Sequence, residues 1–301
     1  MFTLAHLSDW HATSLDGSRV RDFLNKRFLG WLSWQVRRHR VHQPRVLEAL
    51  LEDVVRQAPD HVALTGDLTN VALEVEFERA RRWLDRLGDP ARVSLVPGNH
   101  DAYVAVPRSR SWDRWAPFLR SDAAQGPAAP GPEDFPTLRV RGELAVVGLC
   151  SAVPSPPFLA TGRLGAAQVE RLREELRRLG RRGLCRVVLV HHPPIDEGLA
   201  PRRRLLDSAA LRSAIRDEGA ELVLHGHRHR TFVGRVPGPE GPVPVVGVRS
   251  ASDVGEKEHK RAQYHLYAIE RSRAGGWSVR ARVRGWSRSE ERVVEEGELA
   301  L

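Results

Sequence analysis

Five short apolar runs in the first 230 residues each stop at a cluster of carboxylate, amide or imidazole side chains, and no other feature constrains this chain as strongly. Phe2–Leu7 leads into Ser8-Asp9-Trp10-His11, and His61–Leu64 into Thr65-Gly66-Asp67. Val93–Val96 passes through the turn Pro97-Gly98 into Asn99-His100-Asp101. Arg186–Val190 leads into His191-His192-Pro193-Pro194, and Glu221–Leu224 into His225-Gly226-His227-Arg228-His229. Short apolar runs bounded by turn residues read as buried strands. Ligands bind at the carboxyl ends of the strands in open α/β sheets, so the five clusters converge if the strands lie side by side.

Helical periodicity fills the gaps. Helices are expected over Gln43–Ala58, Val71–Leu87, Ser109–Leu119, Gly165–Leu179 and Asp207–Glu218, with a hairpin pairing Leu138–Val140 and Leu144–Cys150. Alternation of strand and helix implies an α/β fold. Residues 121–136, rich in Pro, Gly and Ala, read as a surface insertion, and Ser151–Leu164 as a Pro-rich loop; either could form a lid. From Thr231 the texture changes to short β-runs at Val243–Val248, Tyr264–Ile269 and Trp277–Val283. These are expected to complete a second sheet. The 301 residues suit a single domain, 1–301, with its core motifs in 4–230 and the β-rich part in 231–301.

The clusters carry a specific chemistry. Asp9 and His11 are two apart, so an extended backbone would point both the same way. Asp9, His11, Asp67, Asn99, His191, His227 and His229 suit two adjacent divalent ions, with Asp67 as the bridge. Imidazoles hold Mn, Fe, Zn or Co, while oxygen ligands keep positions labile for water and phosphate. Two such ions roughly 3.5–4 Å apart lower the pKa of a shared water and clamp phosphoryl oxygens during an in-line displacement. Histidines bind metal only when neutral, so activity is expected to fall in acid.

Composition limits the alternatives. With 41% apolar and 28% charged residues, wholesale disorder is excluded. A formal charge of +9, nearly all from Arg, favours anionic partners such as phosphate esters, nucleic acid or lipid head groups. No nucleic-acid-binding motif accompanies it, so that reading rests on charge alone. Cys150 and Cys185 read as reduced core residues, which suggests a reducing, cytoplasmic compartment. Phe2–Leu7 is too short for a signal-peptide core and has no basic region before it, and no run approaches the roughly 18 apolar residues of a membrane span. The sequence assigns no oligomeric state.

Residues 19–42 interleave Val20, Phe23, Leu24, Phe28, Trp31, Leu32 and Trp34 with Arg19, Arg21, Lys26, Arg37, Arg38 and Arg40. This helical, aromatic and basic stretch suits either core packing or peripheral contact with the inner face of a membrane, with Trp31 and Trp34 as its expected apolar contacts.

The ordered set Asp9-Trp10-His11, Gly66-Asp67, Gly98-Asn99-His100-Asp101, His191 and Gly226-His227-Arg228-His229 resembles the calcineurin-like metallophosphoesterase superfamily. The resemblance implies a four-layer αββα sandwich with two mixed β-sheets and phosphoester hydrolysis by a metal-activated water. It further implies that Asp9, His11 and His229 hold one metal, that Asn99, His191 and His227 hold the other, and that Asp67 lies between them. His191 is preferred to His192 because the family ligand ends the strand directly. His100 matches the histidine that faces the leaving group, there to donate a proton to the departing oxygen or to stabilise its charge, with Asn99 also meeting substrate. Many relatives orient that histidine with a carboxylate three residues after the bridging Asp, where this chain has Asn70. Arg228, between two ligands, could meet a substrate phosphate. The pairing of Gly-Asn-His-Asp with His-His-Pro-Pro is similar to the cyclic-nucleotide and glycerophosphodiester branch. The Arg- and Trp-rich 19–42 stretch is similar instead to the branch that cleaves the lipid-linked pyrophosphate of UDP-diacylglucosamine. A non-catalytic interaction scaffold on the same fold is the reading from a different class.

Overall fold

The computed structural model describes residues 1–124, 126–272 and 275–301. Among them, twelve strands form two six-stranded sheets: β1 (Phe2–Leu7), β2 (His61–Leu64), β3 (Val93–Leu95), β4 (Thr137–Arg141), β5 (Leu144–Gly148), β6 (Cys185–Val190), β7 (Leu222–His225), β8 (Phe232–Val236), β9 (Val243–Gly247), β10 (Gln263–Arg271), β11 (Trp277–Ser287) and β12 (Arg292–Leu299). The first sheet runs β12-β11-β10-β1-β2-β3 and the second β4-β5-β6-β7-β9-β8. Pairing is parallel through β1-β2-β3 and through β5-β6-β7-β9, and antiparallel elsewhere, so both sheets are mixed.

The layering follows from alternation along buried strands. On β6, Val187 and Leu189 join the core shared with the first sheet, while Val188 and Val190 pack with the helices Ala166–Arg181 and Ser208–Glu218. Those helices present Val169, Leu172, Leu176 and Leu179, and Leu211, Ala214 and Ile215, at helical spacing. On the other side, the helix Pro44–Gln57 buries Val46, Leu47, Leu50, Leu51 and Val54 against the first sheet. Proline at its start and Ala58 in the left-handed region beyond its end bound it. The architecture is therefore the expected αββα sandwich.

Two local expectations are corrected. Val243–Val248 does enter the second sheet as β9, but the Tyr264–Ile269 and Trp277–Val283 runs become β10 and β11 of the first sheet, with β10 antiparallel to β1 in the register Phe2↔Ile269. An alternating pattern sets which face of a strand is buried but not which sheet recruits it, and β1 without β10 would leave a buried edge unpaired. Residues 109–119 make 3₁₀ turns and a single α-turn, Ala116–Leu119, rather than one helix, because Pro117 removes a donor. The 19–42 stretch is a 3₁₀ turn (Val20–Phe23), then an α-helix (Arg27–Ser33) that widens into a π-turn (Trp34–Arg38) and closes with His39–Val41.

The chain's far end is anchored by charge. Asp53, fully buried on the helix Pro44–Gln57, accepts from Tyr264 Oη at 2.7 Å and from Arg284 Nε and Nη2 at 2.6 and 3.0 Å. Truncating one partner of a buried pair strands the other charge. We expect Asp53→Ala to lower unfolding stability by roughly 3–5 kcal/mol in denaturant titration, and Asp53→Ala with Arg284→Met to recover part of that loss.

A candidate metal centre at the strand ends

The loops after β1, β2, β3, β6 and β7 meet at one edge of the sandwich, and their close approach depends on missing side chains. A Cβ on Gly98 would strike the Asp67 carboxylate, and one on Gly226 would strike Ser8 and Asp9. The expected extended arrangement of Asp9 and His11 is not what aligns them. Both sit in the left-handed region, at φ 54° and 44°, as do Asp67 at 55°, His227 at 67° and His229 at 49°. Non-glycine residues adopt that region at a cost, and such strain gathers at functional sites. Backbone bonds between loops hold it here: Asp9 donates to the Gly66 carbonyl at 2.9 Å and His11 to the Asp67 carbonyl at 3.2 Å.

The resulting donor set is tightly grouped. Asp67 Oδ2 lies 3.2 Å from His191 Nε2 and 3.7 Å from His11 Nε2. Asp9 Oδ1 lies 3.1 Å from His229 Nε2, and Asn99 Oδ1 3.1 Å from His191 Nε2. Ligand atoms of Asp9, His11 and His229 fall within 4.8 Å of one another, as do those of Asp9, Asp67 and His191. His11 and His191 donate from Nδ1 to the Thr69 and Thr65 carbonyls, at 2.9 and 2.6 Å. His227 donates from Nε2 to the Arg203 carbonyl at 2.9 Å. Each of these histidines thus turns its lone-pair nitrogen away from the backbone, the arrangement that metal-binding imidazoles use.

Divalent metal fits these residues on an independent observation. Asp9 Oδ1 and His11 Nε2 are buried and make no hydrogen bond within the protein. Buried polar atoms are rarely left so, and a role in holding an ion is one of the few reasons. His192, by contrast, is occupied by Ser151 Oγ at 2.8 Å and the Ala160 carbonyl at 3.3 Å, although it shares a cluster with His191 and His227.

Asp101 binds the loops rather than the cavity. It accepts from the amides of Asp67, Leu68, Thr69 and Gly98 at 2.8–3.0 Å, which fixes the β2 and β3 ends to each other. Asn70 does not take the expected side-chain role toward His100. Its Nδ2 donates to the His11 and Thr13 carbonyls at 3.0 and 2.9 Å, and its own carbonyl accepts from His100 Nδ1 at 2.5 Å. His100 also stacks on Tyr103, with ring centroids 5.5 Å apart.

Electrostatics follow from burial and pairing. Burial would raise the Asp67 carboxyl, but His191 and His100 together, by charge and hydrogen bonding, outweigh it and hold Asp67 well below the usual carboxylate range. For His191, burial is overcome by Asp67, and the imidazole is pushed up to about 9. His11 and His227 are lowered well below the ordinary value, first by burial and then by neighbouring cationic groups.

Four contributors were not singled out from the sequence. His42 lies with its ring centroid 4.9 Å from that of His11 and is held by Ser252 Oγ at 2.8 Å. Ser250 Oγ donates to the Asp9 carbonyl at 2.6 Å, and Arg203 lines the cavity beside His227. A local sequence signal existed only for His42, which ends the basic stretch.

Residues 2–231 match the calcineurin-like phosphoesterase family. The chain belongs to that family. A probable cyclic nucleotide phosphodiesterase from Synechococcus sp. is 26% identical over 194 residues, which cover 62% of this calcineurin-like phosphoesterase and 64% of the relative. The chain thus spans just under two thirds of that relative's length. Among solved structures, a dimetal phosphatase from Danio rerio shares the fold with a TM-score of 0.57 at 13% identity, covering 99% of each chain. A 5'-nucleotidase precursor from Thermus thermophilus does so with a TM-score of 0.53 at 18% identity, over 94% of this chain and 54% of that one.

The buried histidines set a pH dependence for the metal-free protein. Burial lowers His61 and His265 to about 3 and His225 to about 4, alongside His11 and His227. The unfolded chain takes up protons near pH ~6.5 while the folded one resists, so their stabilisation is full above that pH and lost as pH falls. Two groups run the other way: the contribution of His191 fades as pH rises through about 9, and the Asp101 carboxyl, pushed up to about 7 by burial, offsets part of the loss as pH falls below that value. The melting temperature of chelator-treated protein is therefore expected to fall steadily from pH 7 to pH 5; a flat or rising profile would contradict the neutral assignment.

Proposed function

We propose that the chain, acting as one domain, hydrolyses a phosphodiester or pyrophosphate bond at a dinuclear centre. The observation that carries this reading is the pair of orphaned buried donors, Asp9 Oδ1 and His11 Nε2, facing the Asp67 carboxylate. Asp9, His11 and His229 would hold one divalent ion and Asn99, His191 and His227 the other, with Asp67 shared; Mn, Fe, Zn and Co all suit these donors. When bound, such a pair acidifies a water and neutralises charge on phosphoryl oxygens. The protein's own part is to fix the donors' orientation, to exclude bulk water beneath the loops, and to present His100 toward the leaving oxygen. A cavity of about 340 Å³ over Asp67, Asn99, His100, His227 and His229 is rimmed by Arg37, Arg38, Arg203, Arg228 and Lys260. That excess of cations favours a phosphate-bearing substrate. The likeness to a probable cyclic nucleotide phosphodiesterase supports a small phosphodiester. Two buried, unpaired cysteines, Cys150 and Cys185, support a reducing, cytoplasmic setting.

The test is turnover of bis(p-nitrophenyl) phosphate against p-nitrophenyl phosphate by protein stripped of metal and reloaded with Mn. We expect Mn-dependent hydrolysis of the diester, lost by at least a hundredfold in Asp67→Asn together with bound metal. Diester turnover unaffected by Asp67→Asn would overturn the assignment.

A second reading, lipid-linked substrate at the inner membrane face, is favoured by one feature. No helix among the described residues is long and apolar enough to cross a membrane. Yet Leu24, Phe28, Leu32 and Val36, spread along the 19–42 stretch, are all 46–80% exposed. Arg19, Arg21, Arg37 and Arg40 flank them. Trp31 and Trp34, the expected membrane contacts, instead pack inward with Phe23 and Tyr103 against Val71 and Leu73. Exposed apolar side chains bordered by Arg suit an anionic bilayer surface. Sedimentation with phosphatidylglycerol-rich vesicles should therefore be abolished by Phe28→Glu with Leu32→Glu, while diester turnover in solution persists; absence of wild-type binding at low salt would remove this reading.

A further inference from the structure

The cavity's cations are not equivalent. Arg203 is committed: its Nη2 donates to the His227 carbonyl at 2.9 Å, and its own carbonyl receives His227 Nε2. Arg228 lies over the Phe232 ring, 4.6 Å from its centroid. Arg37 is exposed at the rim. Arg38 is half-buried, its guanidinium reaches the interior of the cavity, and among the described residues it forms no ion pair with a carboxylate.

Its actual partner is a poor match. Nη2 lies 3.0 Å from His100 Nε2 and Nη1 lies 3.3 Å from Nδ1. The Nδ1 proton already goes to the Asn70 carbonyl, 2.5 Å away, so Nδ1 has no lone pair to offer. A neutral imidazole can then accept from one guanidinium N–H only. The fork of parallel N–H groups that makes Arg selective for carboxylate and phosphate is left unmatched. The neighbouring charges are those of Asp9 and Asp67, which divalent ions would neutralise.

The backbone is built to deliver this side chain. Arg38 is the last residue of the π-turn Trp34–Arg38, and π-turns inside helices re-aim side chains, frequently at functional sites. The helix carrying it is pinned to the body. Arg27 donates to the Val71 and Ala72 carbonyls at 3.0 and 2.6 Å, and Lys26 donates to Ser155 Oγ at 3.0 Å while lying 4.3 Å over the Tyr103 ring. Those anchors sit on the segment after Asp67 and on the residue that stacks on His100, so the register of Arg38 is tied to the site itself.

We propose that Arg38 is a substrate-binding residue whose guanidinium leaves His100 to take two oxygens of the phosphoryl group held in the cavity. The assignment rests on the phosphoesterase reading above, and it makes the 19–42 stretch part of the substrate site rather than an appendage.

Inorganic phosphate is the probe, titrated calorimetrically into Mn-loaded wild type, Arg38→Ala and Arg38→Lys, with metal content and melting temperature recorded for each. Charge-assisted hydrogen bonds of this kind correspond to roughly a 10- to 100-fold change in affinity. Arg38→Ala should weaken phosphate binding by that factor with metal content unchanged, Arg38→Lys should recover part of it, and added guanidinium should restore diester turnover to Arg38→Ala. Equal phosphate affinity in wild type and Arg38→Ala, at equal metal content, would overturn the proposal while leaving the phosphoesterase reading intact. Metal-loaded wild type that binds no phosphate would overturn both.

Discussion

The buried carboxylates Asp9 and Asp67 are the constraint around which the rest of the molecule is arranged. Neither is tolerable in an apolar interior unless donors and positive charge surround it. Part of that demand is met by amides: His227 N donates to Asp9 Oδ2 at 3.0 Å and His100 N to Asp67 Oδ1 at 2.7 Å. Both amides exist where they do because the β3 and β7 loops press against the β1 and β2 loops, which in turn needs Gly98 and Gly226. The remaining demand falls on imidazoles and, by our proposal, on metal. Left-handed backbone at five site residues is thus a consequence of aiming charge at charge, stabilised by the two sheets that flank it.

What could be read from the sequence follows the reach of local patterns. The strand ends were legible because an apolar run closing on Asp, Asn or His is a purely local signal, and the loops after β1, β2, β3, β6 and β7 bring those residues together. The roles implied for His191 and His192 differ for a reason the sequence hides: Ser151 and Ala160 occupy His192 from a distant loop. The 19–42 stretch could be read as core packing or as a membrane face, and its rings divide between the two. Its aromatic residues look like a membrane face, but Trp31 and Trp34 are wide enough to fill the gap over Val71 and Leu73, and slimmer residues are left outside. A helix that passes through a π-turn also shifts its faces part-way along, which a fixed period cannot anticipate.

The 19–42 stretch and the core also differ in kind. The core holds its shape by alternating Val and Leu on strands buried from both sides, a pattern that tolerates exchange among apolar residues. The 19–42 stretch is held by a few directed contacts from Lys26 and Arg27 and a small apolar cluster.

The placement of β10 beside β1 has a consequence for how the protein comes into being. Asp9 and His11 follow a strand whose two neighbours are β2, some sixty residues downstream, and β10, at Gln263–Arg271. Until Gln263–Arg271 pairs with it, β1 has one flank bare. The footing of Asp9 and His11 therefore depends on a contact of very long sequence separation, the kind that is slow to form as a chain folds.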